Sequence, residues 1–458
     1  MAFAKKSEAS RAHDNGHLYH DYVNPQWVKL LDVLEMNVTY TRCEGASLLT
    51  SDGRTVWDFL SGYCVHNIGH NHPRVIAALK GELNACGPAM LQSHVSDLAG
   101  EMAARLCALA GGRLAKVFFC SSGSEGVEAV IKFARAHTRR AGLLYAAGGF
   151  HGLTCGAMSL MSAPFWTQGF GPFIPGTEAV PFDSAEELEK KLATKKYAAF
   201  ITEPVQSESG VIVPSPGYLR DAQALCRRYG TLFVLDEVQT GMYRSGPFLA
   251  AHHYGVEPDM VVMAKALSGG LIPSGAVLMS EAVCDSIYSS LRRAIIHTST
   301  YSENSLAMRA GLATLDVLQD EGLGERARIM GVALRQQLAQ RLAGYEMVAE
   351  VRGLGMLSGV AFRAPKTLRL RVLFEAFSRI HPAMFGQVLV RRLYKKGLLT
   401  QICGNNFMVL KVAPPLMVED GVVEKFITDL VEVVDLMHAK ASYWTEALGI
   451  ARRALSAI

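Results

Sequence analysis

No apolar run in the 458 residues approaches the roughly 20 needed to span a bilayer as a helix. Long runs of like charge are also missing, and the formal net charge is only +4, so the basic stripe that nucleic acid requires is not there. The opening stretch MAFAKKSEASRAHDNGHLYHDY lacks the apolar core of a secretory signal. Nine cysteines are scattered along the chain, an odd number with no CxxC spacing. That pattern fits reduced thiols better than a disulfide framework. Internal repeats and low-complexity segments are absent. Together these lacks predict a cytoplasmic chain with neither nucleic acid nor a membrane as its partner.

What is present is apolar sequence in short pieces. Half of the residues are hydrophobic, enough for a sizeable core and, at this length, for two or three domains. LAKVFFC, GLLYAAGG, KYAAFITEP, TLFVLDEV, DMVVMAK and GAVLMS read as strands. EGVEAVIKFARAHTRR reads as a helix with Glu128 and Lys132 spaced for an i,i+4 pair, and LRDAQALCRRYG as a helix closed by Gly230. Near-continuous apolar strands alternating with helices predict an α/β fold, a mostly parallel sheet covered on both faces. Strand-like runs return at EVRGLGMLSGVAF and NNFMVLKVAPPL, the latter ended by Pro414-Pro415. The resulting division is an N-terminal segment 1–70 packing with a small C-terminal α+β domain 326–458, around a large domain 71–325.

In such sheets ligands sit beyond the carboxyl ends of the strands. Those ends carry Ser122-Gly123-Ser124, Phe150-His151-Gly152, Glu203, Asp236 with Gln239, and Lys265. CSSGSEG follows a strand and opens a helix, so it is either an anion site or an ordinary Ser/Gly cap. Asp236 closes an apolar strand, where a carboxylate needs a cation or several donors. It is either a buried cap or ion pair, or the partner of a protonated ring nitrogen. Lys265 is either a surface residue at a strand end or an amine made nucleophilic by apolar walls. Read together, a nucleophilic lysine, a ring-nitrogen carboxylate and a phosphate cradle are the three parts of a pyridoxal phosphate site.

At this point the chain resembles a known family, the class III (ornithine-type) aminotransferases of the pyridoxal-phosphate fold type I group. The resemblance runs from about Asp52 to Pro415 and rests on FLSGYCVHNIGHNHP, FFCSSGSEGVEA, GGFHG, ITEPVQSESG, LDEVQTGMYRSG, MAKALSGG, HTSTYSEN and LKVAPPL. Among members it is most similar to the putrescine, ornithine and acetylornithine enzymes. The fold implied is a seven-stranded-type sheet in the large domain. The cofactor implied is pyridoxal 5'-phosphate, joined to Lys265 as a Schiff base, with Lys265 also moving the substrate proton in ping-pong transamination. Asp236 matches the pyridine-nitrogen carboxylate, and Gly123 and Ser124 the phosphate-binding pair. Phe150 matches the aromatic stacked on the ring, with His151 beside it, Val238 on the other face and Gln239 near the ring hydroxyl. Thr300 matches a threonine that reaches the cofactor phosphate of a neighbouring subunit, which implies a homodimer with sites at the interface. Glu203 matches a supporting residue, Glu208 a glutamate that gates substrate choice, and Tyr63 a tyrosine of the substrate pocket.

Two positions depart from the family pattern. Lys411 stands where an arginine usually grips a carboxylate, and Leu153 where ornithine enzymes carry a second arginine. Lysine lacks the planar fork and leucine lacks the charge. Both changes favour an amine donor, or an aldehyde or ketone acceptor, with an apolar body, the oxo partner being 2-oxoglutarate or pyruvate. Phe165, Trp166, Met158 and Met161 either line that pocket or belong to the core. A racemase or aminomutase of the same family, and a non-catalytic binding protein on the same scaffold, are the competing readings.

His66, His70 and His72 read as a turn rather than a metal site, with no cysteine or carboxylate cluster to complete a shell. GLGM at Gly353 to Met356 lacks the full GxGxxG pattern of a dinucleotide loop. RRLYKKG at Arg391 to Gly397 reads as a solvated basic helix end, or else as a docking patch for an acidic carrier protein.

Overall fold

The computed structural model describes residues 16–91 and 93–439, together with 443, 444, 449, 450 and 453. The first fifteen positions of the polar opening stretch therefore lie outside the described residues. The chain is built around a seven-stranded sheet whose strands, in chain order, are β1 (Leu114–Cys120), β2 (Gly142–Ala146), β3 (Thr177–Val180), β4 (Tyr197–Thr202), β5 (Leu232–Asp236), β6 (Met260–Met263) and β7 (Gly275–Ser280). They lie side by side as β1-β7-β6-β5-β4-β2-β3. All neighbours are parallel except that β7 runs antiparallel to both β1 and β6. Every residue of β4, β5, β6 and β7 is buried, which is why these strands read as continuous apolar runs rather than alternating ones.

Helices cover both faces. Helix Gly123–Thr138 buries Val127, Val130, Ile131 and Ala134, one face at helical spacing. It lies close on the sheet because Gly126 has no side chain: a Cβ there would stand 2.8 Å from Val262 Cγ1. Glu128 does not pair with Lys132. Its Oε1 accepts from Thr154 Oγ1, Gly156 N and Ala157 N, and Lys132 Nζ meets His297 Nδ1 instead. Three donors of a neighbouring turn outcompete one exposed ion pair, which contributes only about 0.3–0.5 kcal/mol. Helix Tyr218–Tyr229 ends at Gly230, whose φ of 65° closes it in the left-handed region.

The C-terminal region adds a four-stranded antiparallel sheet of Val348–Leu354, Leu357–Phe362, Val409–Val412 and Gln401–Ile402. The N-terminal segment joins it through a third sheet, in which Thr55–Asp58 runs parallel to Leu398–Leu399. The basic run at Arg391 is not a solvated face. Arg391 is 3% exposed and pairs with Glu35, Arg392 lies 5.3 Å from the Tyr443 ring centroid, and Lys396 pairs with Asp429 and Glu432. The partners of Arg391 and Lys396 are carboxylates of the same fold. Among the described residues no helix is long and apolar enough to cross a membrane.

Candidate active site

The ends of β1, β2, β4, β5 and β6 converge on a cavity of about 450 Å³. It is lined by Ser121 to Ser124, Phe150 to Gly152, Glu203, Asp236, Val238, Gln239 and Lys265, with Val65 and the loop Gly270–Ser274 closing it. Gly123, Ser124, Phe150, His151, Asp236, Val238, Gln239 and Lys265 are thus brought together as their strand-end positions predict. Val65 and the loop Gly270–Ser274 were missed. The loop had a signal, the glycine pair directly after LS in MAKALSGG; Val65 had none.

One wall is the N-terminus of the 16-residue helix Gly123–Thr138. Ser122 caps it by accepting from Glu125 N at 3.3 Å, and Glu125 Oε2 accepts from Ser121 N at 2.9 Å. The amides of the first turn offer an anion a place to bind there. Gly123 is required by close approach, since a Cβ would stand 3.0 Å from Val238 Cγ2.

Across the cavity, Asp236 Oδ2 meets His151 Nδ1 at 2.8 Å and Asp236 Oδ1 accepts from Val238 N at 3.1 Å. Burial works against a charged His151 ring, but the hydrogen bond and charge of Asp236 outweigh it and hold its pKa above the ordinary value. Glu203 accepts from Phe150 N and Ser207 N, and burial raises it to about 7. Lys265 begins a short 3-10 turn with φ of 48°, a left-handed conformation in a non-glycine residue. Burial pushes its ammonium below the ordinary range and nearby Lys411 adds to this, while Asp236 and Glu208 pull the other way. An amine poised toward neutrality is a nucleophile and a base.

The remaining sequence-predicted residues lie outside the cavity lining. Glu208, 7% exposed, forms an ion pair with Lys411, which is fully buried. Gln239 donates to Glu208 at 3.1 Å and accepts from Ser207 at 2.9 Å, linking this pair to the cavity wall. The Tyr63 ring stands 5.2 Å from Lys411 Nζ. Leu153 is 51% exposed and is not among the cavity-lining residues, and Thr300 is exposed as well. Trp166 packs edge-on to Phe150 at 5.2 Å and donates to Asn405 at 2.7 Å, while Phe165, about two-thirds exposed, stacks edge-on to Trp166. Met158 and Met161 are buried. His70 is held by Asp58, His66 stacks on His70 at 3.8 Å, and His72 meets Glu321. Among the described residues no group of three or more histidines, cysteines and carboxylates is placed to hold a metal.

The Glu208–Lys411 pair has a pH signature. Burial opposes charge on Glu208, but Lys411, Gly404 N and Gln239 hold its pKa down to about 2, from 4.5. A depressed carboxylate stabilises the fold above its unfolded pKa, and this contribution disappears as pH falls from about 4.5 toward 2. Glu208→Gln strands a buried ammonium and costs about 3–5 kcal/mol at neutral pH. The melting temperature gap between wild type and this variant shrinks on acidification; a gap constant from pH 6 to 3 contradicts the charge-based account.

A positive helix end, a carboxylate held by a histidine, and a half-buried lysine on the same cavity form a donor set that fits pyridoxal phosphate. Comparison with known proteins agrees. The family model Aminotransferase class-III matches residues 31–434.

The chain belongs to the class III aminotransferases.

Members of this family depend on pyridoxal phosphate. The putrescine aminotransferase of Pectobacterium atrosepticum is 35% identical over 414 residues, covering 87% of this chain and 84% of that protein. The aminotransferase PigE of Serratia sp. is 32% identical and covers 91% of this chain, but the chain spans only about half of PigE, 53% of its length. The solved ornithine aminotransferase of Toxoplasma gondii superposes with a TM-score of 0.79 at 30% identity, covering 88% of this chain and 91% of that one. A second structure of that enzyme carries pyridoxal phosphate at partial occupancy in its active site. The fold is therefore pyridoxal-phosphate fold type I.

Proposed function

We propose that this class III member transfers an amino group from an amine donor with an apolar body to an oxo acceptor, in two half-reactions of ping-pong order. The observation that carries this reading is the convergence of Lys265, the Asp236–His151 pair and the capped helix end on one cavity. When bound, pyridoxal phosphate supplies a ring that draws electrons from the carbon beside the amino group. The amides around Ser121–Ser124 would hold the phosphate end. Asp236, backed by His151, would favour the protonated form of the ring nitrogen, and Phe150 and Val238 would offer the ring apolar walls. Lys265 would anchor the cofactor and carry the proton taken from the donor carbon. Exposed Thr300 serves the phosphate of a second copy, so the working unit is a homodimer with its sites at the interface.

On the donor side, Lys411 is already neutralised by Glu208 and Leu153 carries no charge, so neither offers a free grip for a second carboxylate. Trp166 and Phe165, next to Phe150, offer apolar surface to the body of a diamine or longer amine. The putrescine aminotransferase among the relatives supports an amine donor. Glutamate with 2-oxoglutarate, or alanine with pyruvate, completes the cycle.

The test is the absorption spectrum of the purified holoprotein after glutamate, alanine, putrescine or a long-chain amine is added singly, without acceptor. Conversion of the cofactor to its amine form by an amine donor is the expected result. A bound chromophore that no donor converts points to a racemase or mutase, and a protein that binds no cofactor at all overturns the enzymatic reading.

A further inference from the structure

Arg244, in the loop after β5, is 0% exposed, and none of its hydrogen-bond acceptors is a carboxylate. Its Nη2 donates to Asn67 Oδ1 at 2.6 Å and to Ser61 Oγ at 3.4 Å, and its Nε to Asn67 Oδ1 at 3.2 Å. Nη1 donates to the carbonyls of Pro414 at 2.5 Å and Met356 at 3.0 Å. A buried cation with no carboxylate in hydrogen-bond contact, helped only by the more distant charge of Asp58, is unfavourable, and an apolar side chain of similar volume commonly gives equal or greater stability. The geometry suggests what the arginine does instead. Its rigid planar fork joins oxygens from three distant stretches of chain, which neither an apolar residue nor a lysine can do.

Two of those stretches carry the donor side of the site. Ser61, Gly62, Tyr63 and Cys64 are four consecutive left-handed residues, with φ of 49°, 59°, 61° and 68°. Each non-glycine member costs roughly 1–2 kcal/mol relative to ordinary backbone. The turn therefore persists only under outside restraint. Asp58 Oδ1 accepts from Leu60 N and Ser61 N, Ser61 Oγ donates to the carbonyl of Ala413, and Arg244 holds Ser61 and Asn67 on either side of Tyr63. The turn aims Tyr63 at Lys411 and leads into Val65 on the cavity wall. Pro414, on the same guanidinium, lies three residues beyond Lys411. No hydrogen bond of the Arg244 side chain goes to Ser121–Ser124, Asp236, His151 or Lys265. We infer that Arg244 is a positioning residue for the donor side, clasping the left-handed turn under Tyr63 to the strand end that carries Lys411. This rests on the reading of Tyr63 and Lys411 as donor-facing groups.

The test is Arg244→Lys in the holoprotein, which keeps the charge and loses the fork. Peptide-resolved thiol labelling reports on the turn through Cys64, 1% exposed, against Cys226, 0% exposed on the buried face of helix Tyr218–Tyr229. Labelling of Cys64 rises at least about tenfold while Cys226 stays within about twofold. Cofactor capture by hydroxylamine, which needs no donor pocket, keeps its rate within about twofold. Putrescine conversion loses at least about tenfold in kcat/KM, chiefly through KM. Cys64 as protected as in wild type overturns the clasp. So does a parallel rise of Cys64 and Cys226, which marks general loosening, and so does an equal slowing with hydroxylamine and putrescine. Should the lysine variant not fold, Asn67→Ala removes acceptors and leaves Arg244 intact. The same selective rise at Cys64, by at least about threefold, is then required. If wild type fails to convert putrescine while Cys64 responds, the donor assignment falls and the clasp stands.

Discussion

Lys265→Ala loses at least about four orders of magnitude in turnover while the protein still folds and still takes up pyridoxal phosphate. The loss is large because one side chain supplies two functions, a covalent anchor and a proton carrier, and a positioned acid or base alone contributes about 10²–10⁴. Binding survives because the other holding groups are independent of the lysine. The helix end at Ser122 and the Asp236–His151 pair come from β1 and from β5 with the segment after β2. The fold survives because Lys265 is a single left-handed residue at the mouth of the sheet, and alanine removes an amine whose charge desolvation already disfavours. The checks are a turnover assay together with the absorption spectrum of the reconstituted variant, which should show cofactor bound without covalent linkage. Ethylamine added to the variant should restore part of the proton transfer. Turnover within about tenfold of wild type removes Lys265 from the reaction.

The sequence made these residues visible because the sheet is regular. LFVL and MVVM are apolar at every position since helices cover both faces of β5 and β6, so the first polar residue past each run marks the cavity side. Asp236 and Lys265 were found that way, and SSGS by its place between a strand and a helix. What stayed hidden depends on contacts across long stretches of chain. Lys411 and Glu208 are 203 residues apart, and nothing in LKVAPPL says that the lysine is fully buried against a carboxylate. The left-handed turn at Ser61–Cys64 has only one glycine, so its conformation comes from tertiary restraint and not from local preference. The Glu128–Lys132 spacing was real, yet the preference it expresses is weak enough for Thr154 and two backbone amides to override. Arg391 looked solvated because a basic run usually is, and only the fold brings Glu35 to it.

Asp236→Asn is expected to lower kcat by about 10²–10³ with a smaller change in KM, equivalent to roughly 3–4 kcal/mol at the transition state. The substitution keeps shape and volume, so Val238 N still finds an oxygen acceptor. What is lost is a negative charge that serves two partners. Without it, burial acts on His151 against only the charge of Glu203, and the ring shifts toward its neutral form, because the Asp236 carboxylate supplies the main pull against desolvation there. A ring nitrogen facing the same position loses its incentive to stay protonated, and with it the electron demand that the chemistry draws on. Since aspartate and histidine act as a unit at 2.8 Å, the two deletions should not add. His151→Gln lowers kcat less than Asp236→Asn, and the double variant falls no further than Asp236→Asn alone. An Asp236→Asn enzyme with kcat within about twofold of wild type shows that the cofactor nitrogen does not face Asp236. Strictly additive losses would show instead that His151 reaches the reaction by a route of its own.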